Sequence, residues 1–354
     1  MKLGNAWLKG ILTLIFKVHK ELKSTRKRLR VRTLFKIPLI SLLWLWVCGA
    51  LRYLVGVPFF IVVPLIIFLP LVYYRYKNYR NHLIVLGAVI FIVSFILLVL
   101  EKPKRYRNWD ETCRKPPVIR ISNDKDVVTI SNVRHFKWQT PDDYQSAWVK
   151  KSYYLDKLNS LDLIIEPLEG SDLFAHTMLS FGFGTEERVV VSVEARKEKG
   201  EKYSIFSGIY KQFELLYQIS SERDALTLRV ARGQSKLFIY PVNASPDFIR
   251  SLFLSMTADA GRLVDEPIFY HSLRANCTTE LFKHIKQNFD GNISYGKGVL
   301  FPAQAGEVLH EMGWMKTELD YEAARKKFMS SHRVKEFADD PHFSRRIRGI
   351  NPDS

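Results

Sequence analysis

The sequence predicts an α+β domain with a mostly antiparallel sheet, preceded by an α-helical membrane region. Three apolar segments, each about long enough to cross a bilayer core, occur within the first 100 residues. After residue 101, several short segments alternate apolar and polar residues with the period of a strand, and others have helical spacing. A chain of 354 residues is long enough for both regions.

The net charge of +17 is concentrated at the beginning of the chain. Residues 1–100 contain 15 Lys and Arg residues and one acidic residue, whereas residues 101–354 contain 38 basic and 35 acidic residues. Because the excess of basic residues lies beside apolar segments, it indicates membrane topology and contact with anionic lipid. We therefore expect no nucleic-acid partner.

The first 100 residues divide into a basic amphipathic N-terminus, residues 1–33, and a membrane region, residues 34–100, with about three transmembrane helices. The apolar segments of this region are Leu34–Leu51, Val57–Tyr74 and Leu83–Leu100. In an alternative arrangement the first two segments form one tight helical hairpin.

The loops between the apolar segments predict the topology. Basic clusters before the first segment and after the second share one side, so the positive-inside rule places the N-terminus in the cytoplasm. The chain beyond residue 100 is then outside. The sequence thus predicts a multi-pass protein of a bacterial inner membrane, with its C-terminal domain in the periplasm.

Residues 101–340 are predicted to form this periplasmic domain, followed by a loose polar tail at 341–354. Alternating patterns predict strands at 127–130, 136–138, 161–166, 175–183, 189–195 and 226–229. Helices are expected at 147–158, 246–257, 278–286 and 322–335.

Cys277 is the candidate nucleophile because of its local sequence, Asn276-Cys277-Thr278-Thr279, which immediately precedes an amphipathic helix. At a helix N-terminus, unpaired N–H groups and the positive end of the dipole lower the pKa of a thiol and favour the thiolate. The local sequence leaves two alternatives open, a buried structural thiol and a disulfide with Cys113.

His176 is the candidate base, because it lies near the start of an alternating strand and a base needs to be close to the sulfur only in space. Glu194 ends a mostly apolar strand and is the candidate for the carboxylate that orients this imidazole. The alternatives are a structural histidine at a strand edge and an ion pair between Glu194 and Arg196.

No metal and no cofactor are predicted. The three cysteines lack the spacing of zinc ligands, and clustered acids such as Glu222 and Asp224 lack histidines at metal-ligand spacing. We interpret these acids, together with Asn132 and Arg134, as structural ion pairs or as groups that position a substrate.

Several motifs occur in a fixed order between residues 132 and 285. They are NVRHF at 132–136, AHTMLSFGF at 175–183, VSVEARKEKGEKYS at 191–204, KQFELLY at 211–217, ERD at 222–224 and FYHSLRANCTTELFKHI at 269–285. Together they resemble the Lnb N-terminal periplasmic domain family, over about residues 105–300. One departure lies before Asn276, where His271 and Arg274 are not the usual residue types.

The family is similar to permuted papain-like enzymes of the NlpC type, in which the histidine precedes the cysteine, as His176 precedes Cys277 here. The resemblance implies a bacterial lipoprotein N-acyltransferase. Such an enzyme moves a fatty acyl chain from a phospholipid to the α-amine of a diacylglyceryl-cysteine apolipoprotein, and a thioester on Cys277 would carry the chain between them. The bilayer, the phospholipid donor and the apolipoprotein acceptor are the expected partners.

The resemblance also implies roles for individual residues. Cys277 would be the nucleophile and His176 its base, with Glu194 as the candidate third member. Further residues expected to bind or position substrate are Asn276, Thr278, Arg196 and Ser192.

Two other functions stay open from the sequence. A periplasmic cysteine hydrolase, a peptidoglycan peptidase or lipid esterase, would use the same residues with water as the acceptor. A non-enzymatic, membrane-anchored assembly factor would instead pair Cys277 with Cys113 in a disulfide.

Overall fold

A computed structural model describes residues 44–53, 56, 80–168, 170–233, 236–289, 298 and 301–351. The chain divides into two compact units, Met1–Leu100 and Glu101–Ser354. In the first unit, residues 44–53 are helical and helix α1 covers Arg80–Leu100. The predicted segment at 57–74 and most of that at 34–51 lie outside the described residues. Across the described parts of the chain, no helix combines the length and the hydropathy that a membrane span requires.

The second unit is built on an eight-stranded, mostly antiparallel sheet, as the sequence predicts. Its strands pair in the order β1-β2-β9-β8-β7-β6-β10, with β5 also beside β2, while β3 and β4 form a separate hairpin. The strands are β1 Val118–Ile121, β2 Val127–Arg134, β3 Lys137–Trp138, β4 Tyr144–Gln145, β5 Trp148–Tyr154, β6 Leu158–Pro167, β7 Ala175–Phe183, β8 Glu187–Arg196, β9 Glu214–Ser221 and β10 Phe238–Pro241. The exception to antiparallel pairing is β2 with β9, which are parallel at Arg134 and Ser220.

Helices cover both faces of this sheet. They are α2 Ile205–Ile209, α3 Glu222–Ala231, α4 Pro246–Asp265, α5 Cys277–Asn288, α6 Ala305–Glu311, α7 Tyr321–Phe328, α8 Ser331–Glu336 and α9 Phe343–Arg346. Helices α4 and α5 share one apolar core with inward-facing residues of the sheet. On the opposite face, α3, α8 and α9 pack over a second core.

Helix α4 shows how the sequence produces this packing. Ser245 caps it by accepting a hydrogen bond from the N–H of Phe248, and Pro246 is suited to the first helical position. Ile249, Leu252 and the next residues at helical spacing are buried against the sheet. The period of 3.6 therefore both predicts the helix and selects the face that it buries.

Two predicted elements are wrong. Residues 147–158 were expected to be helical, but most of them form β5 and pair with β2, where Tyr153 enters the core and Tyr154 stays exposed. The strand expected at 226–229 lies inside helix α3, which begins because the Ser221 hydroxyl accepts from the N–H of Asp224. A third prediction, one helix at 322–335, is two helices, α7 and α8.

The tail predicted to be loose is packed as far as it is described. Phe343 and Ile347 are buried against α3, and the side chain of the next residue, Arg348, points towards the sheet. The guanidinium of Arg348 lies 2.6 Å from the carboxylate of Asp162 and 2.9 Å from that of Glu222. Burial of these apolar side chains and acids explains why a polar sequence is ordered here.

Replacing Arg348 with alanine tests this arrangement. We expect Arg348→Ala to lower the free energy of unfolding by about 3–5 kcal/mol, because it leaves two buried carboxylates with less positive charge. Urea unfolding of the purified chain measures the loss. Arg120→Ala, on the exposed edge of β1, is the matched control and should change stability by less than about 0.5 kcal/mol. Equal effects of the two substitutions would show that the tail is not bound as described.

Candidate cysteine–histidine site

Cys277 is the first residue of helix α5, and its neighbours fix it there. The side-chain oxygen of Asn276 accepts hydrogen bonds from the N–H groups of Thr278 and Thr279, both at 3.0 Å. The Thr279 hydroxyl in turn accepts from the N–H of Asn276 at 2.9 Å. This capping box holds the thiol at the positive end of the helix dipole, with only 8% of Cys277 exposed. Asn276 thus has a structural role as the helix cap.

The first turn of α5 contacts the beginning of β7. The sulfur of Cys277 lies 4.0 Å from the carbonyl oxygen of Ala175 and 3.7 Å from the hydroxyl of Thr278. That hydroxyl lies 3.2 Å from the hydroxyl of Thr177. Thr278 therefore joins the helix to the strand that carries His176.

The pairing of β7 with β8 ends next to His176. At this end of the two strands, the last hydrogen-bonded pair is Met178 with Ser192. The ladder continues from that pair to Phe183 and Glu187 at the other end. His176 and Glu194 lie beyond the last pair, while His176 stays paired with Glu166 of β6. Strand alternation places His176 on the face opposite α5, so the point where β7 and β8 part is where sulfur and imidazole can approach.

His176 is oriented by two residues of β8. Its Nε2 lies 2.7 Å from the hydroxyl of Ser192 and 3.2 Å from the carboxylate of Glu194. The Ser192 hydroxyl donates to the same carboxylate oxygen at 2.7 Å. Since Nε2 faces Ser192 and Glu194, Nδ1 is the ring nitrogen left for the thiol. Ser192, predicted to bind or position substrate, links the imidazole to its carboxylate in this structure.

Two charged residues behind Glu194 were missed from the sequence. The guanidinium of Arg229, on α3, donates to Glu194 at 2.9 Å and lies 2.8 Å from the carboxylate of Glu166. The side chain of Arg229 is 3% exposed and that of Glu166 is 4% exposed. A continuous chain of charges thus runs from Glu166 through Arg229, Glu194 and His176 to Cys277. The signal that could have placed Arg229 is Ser221, because serine commonly caps a helix and a helix that begins there contains Arg229.

These contacts set the protonation states. Burial raises the pKa of the Cys277 thiol, but the charge of His176 outweighs it and lowers the pKa to about 7. Burial lowers the pKa of His176, whereas the charges of Glu194 and the thiolate raise it to about 10. Burial opposes ionisation of Glu194 as well, yet His176 and Arg229 hold its pKa well below the usual range. Between pH 7 and pH 10 the pair is therefore a thiolate and an imidazolium.

Arg196, which the sequence suggested would bind or position substrate, contacts residues 109–114 in this structure. Its guanidinium donates to the carbonyls of Cys113, at 3.0 Å, and Arg114, at 2.7 Å, and it stacks 4.1 Å above the ring of Trp109. Arg196 therefore holds residues 109–114 against the sheet.

Cys113 and Cys277 are both free, as is Cys48 among the described residues, so the disulfide that the sequence left open is not formed in this structure. The sulfur of Cys113 lies 3.3 Å from the carbonyl oxygen of Lys197. Burial raises the pKa of the Cys113 thiol to about 11. The two thiols thus differ strongly in acidity.

Tyr270 is a further residue that sequence reasoning passed over. It is buried in the same core as Cys277, and its hydroxyl lies 3.4 Å from that of Tyr203. Burial raises the pKa of Tyr270, and so does the negative charge of the Cys277 thiolate. Tyr270 therefore keeps its proton and presents a neutral hydroxyl in the electric field of the thiolate.

The far part of α5 carries a second polar cluster, which fixes the helix to the sheet. Tyr217 of β9 lies 2.8 Å from Nε2 of His284, and its hydroxyl donates to Glu280 at 3.2 Å. Asp259, Glu280 and His284 have the residue types of a metal site. The ammonium of Lys283 lies 3.0 Å from Asp259 and 3.4 Å from Glu280, so these acids already have a cation.

Fold and site together define a mixed α+β domain with a cysteine–histidine–glutamate site. The model of the Lnb N-terminal periplasmic domain family matches residues 144–309, which include Cys277, His176 and Glu194. Residues 144–309 therefore match the family that the motifs indicated. Comparison with curated proteins and with solved structures gave no match.

The charge pairing of Cys277 and His176 can be tested by alkylation. With iodoacetamide, the rate at Cys277 should rise with a midpoint near pH 7, because only the thiolate reacts and it forms above its pKa. In His176→Ala the positive charge that lowers the pKa of Cys277 is absent, while the thiol is still buried. The midpoint should therefore move above about pH 9, and the alkylation rate at pH 7.5 should fall roughly tenfold or more. Peptide mass spectrometry separates Cys277 from Cys113, which serves as an internal control. An unchanged midpoint in His176→Ala would contradict the ion pair.

Glu194→Gln tests the carboxylate. Because the negative charge raises the pKa of His176, its loss should lower that pKa, so the imidazolium disappears at a lower pH than about 10. The upper limit of the pH range in which the ion pair exists should therefore move down, as measured by NMR titration of His176. Glu187→Gln, at the opposite end of β8 and paired with Lys151, is the matched control. The same titration curve in both variants would remove Glu194 from the site.

Proposed function

We propose that this protein is a bacterial lipoprotein N-acyltransferase, which transfers a fatty acyl chain from a phospholipid to the α-amine of a diacylglyceryl-cysteine apolipoprotein. One observation carries the proposal: a buried thiol at a helix start is held ionised by an imidazolium that a carboxylate orients. The match of residues 144–309 to the Lnb N-terminal periplasmic domain family supports the choice of reaction.

In the first step the thiolate of Cys277 attacks an ester carbonyl of the phospholipid. The carbon–oxygen bond of the ester breaks, and the imidazolium of His176 gives its proton to the departing lysophospholipid oxygen. The side chain of Asn276 caps the N–H groups of Thr278 and Thr279, so the N–H of Cys277 is our candidate donor to the oxyanion. The product of this step is an acyl-thioester.

In the second step the α-amine of the apolipoprotein attacks the thioester. His176, now neutral, accepts a proton from the amine as the carbon–sulfur bond breaks, and the thiolate and imidazolium are restored. Glu194 and Arg229 keep their charges throughout, so the imidazole returns to the same orientation. Only 8% of Cys277 is exposed, which helps to exclude the water that would hydrolyse the thioester.

We further propose that residues 34–100 attach the domain to the bacterial inner membrane as a multi-pass region, with the C-terminal domain in the periplasm. The three apolar segments and their basic flanks support this topology. Both substrates are confined to a bilayer, so an anchored domain meets them at a higher effective concentration. The order of histidine before cysteine supports a permuted papain-like arrangement of the domain.

Mass spectrometry of the lipoprotein tests the reaction directly. The full chain is incubated with a diacylated apolipoprotein and a phospholipid with a labelled acyl chain. We expect the label on the α-amine, and a loss of at least about 10³-fold in Cys277→Ala, because the covalent route is removed. Cys113→Ala, which removes the buried thiol of high pKa, is the control and should retain activity.

Two outcomes would contradict the proposal. N-acylation by Cys277→Ala at the rate of the unmodified protein would exclude the thioester. Labelled free fatty acid with no N-acylated lipoprotein would instead identify a cysteine hydrolase, in which water takes the place of the amine.

A further inference from the structure

A patch of exposed apolar side chains lies beside the site. Its members are Tyr203, Ile205 and Phe206, at the start of α2, and Leu273, in the loop before α5. Their exposed fractions are 45%, 43%, 65% and 67%, respectively. Exposure of several large apolar residues in one place commonly marks a surface that binds a partner.

The two segments that carry the patch, α2 with the residues before it and the loop before α5, are in contact with each other. The hydroxyl of Ser272 donates to the carbonyl of Ile205 at 2.8 Å, which holds the loop before α5 against α2. Tyr203 contacts Tyr270 through their hydroxyls and rings. Leu273 precedes Cys277 by four residues. A partner bound to the patch is therefore close to the thiol.

The exposed charged residues that adjoin the patch in the sequence are positive. Lys202 and Arg274 flank it and are exposed. Residues 202–211 and 268–279 contain no acidic residue. Aromatic and aliphatic side chains with flanking cations are typical of a surface that binds anionic lipid, because the apolar groups enter the acyl region and the cations meet phosphates.

The course of the chain favours the same partner. The domain begins at Glu101, whose carbonyl accepts from the ammonium of Lys211 at 3.5 Å, just after α2. Arg107 donates to the carbonyl of the neighbouring Gln212 at 3.1 Å. In the sequence, Glu101 is preceded directly by the apolar residues 83–100. The domain thus begins beside α2, on the side of the patch.

We propose that the patch of Tyr203, Ile205, Phe206 and Leu273 inserts into the surface of an anionic phospholipid bilayer and places Cys277 at the level of the donor lipids. The proposal rests on the proposed function for the role of the lipid as donor, but lipid contact itself requires no turnover. It identifies a surface and an orientation that the reaction alone does not specify.

Photo-cross-linking in vesicles tests the contact. The full chain, with p-benzoylphenylalanine in place of Phe206 or Leu273, is reconstituted in vesicles of phosphatidylethanolamine and phosphatidylglycerol and irradiated. Mass spectrometry should find phospholipid adducts at both positions. The control carries the same group in place of Tyr154, which is 51% exposed at the opposite end of the sheet, and should give none. Adding Lys202→Glu and Arg274→Glu should lower the adduct yield several-fold.

Each result decides one question. Adducts in equal yield at all three positions, no adducts at 206 and 273, or cross-links to protein alone would overturn the lipid surface. An acyl-thioester on Cys277 without lipid adducts at the patch would leave the proposed function standing and reject the surface. Lipid adducts at the patch without acyl transfer would do the reverse.

Discussion

The site depends on a buried row of side chains with alternating charges, in which Arg229 lies between the carboxylates of Glu166 and Glu194. A carboxylate beside a histidine raises the pKa of the imidazole only if the carboxylate itself stays ionised. His176 and Arg229 together do this for Glu194, which in turn keeps His176 protonated, and the imidazolium lowers the pKa of Cys277. The acidity of the thiol is thus set by His176 and is supported by a cation on another helix.

The fold supplies each member of this chain from a different element. Three adjacent strands, β6, β7 and β8, provide Glu166, His176 and Glu194, while α3 and α5 approach from opposite faces with the arginine and the cysteine. Helix α3 is itself held at its first residue, Glu222, by Arg348 from the end of the described chain. Residues after 309 lie outside the family match, yet they support the helix that carries Arg229.

The parts of this arrangement that have a local signal were predictable. Alternation gave β7 its observed bounds, and the capping residues placed the start of α5 to within one residue. Strand β9 was missed, because it is buried on both faces and so has no alternation to detect. Arg229 and Glu166 could not be recognised, since their pairing is made between distant elements. Arg196 was expected to bind or position substrate, with an ion pair to Glu194 as the alternative, but its guanidinium contacts backbone carbonyls and a tryptophan ring.

The most direct test of the account is to isolate the acyl-enzyme. The full chain is incubated at pH 8 with phospholipid carrying a labelled acyl chain, without an acceptor, and its peptides are analysed by mass spectrometry. The account predicts one labelled acyl group on the peptide that contains Cys277, removable by neutral hydroxylamine and greatly reduced in Arg229→Gln. A label on another residue, or an Arg229→Gln protein that is acylated at the original rate, would contradict the claim that the buried charges prepare Cys277 to carry the acyl chain.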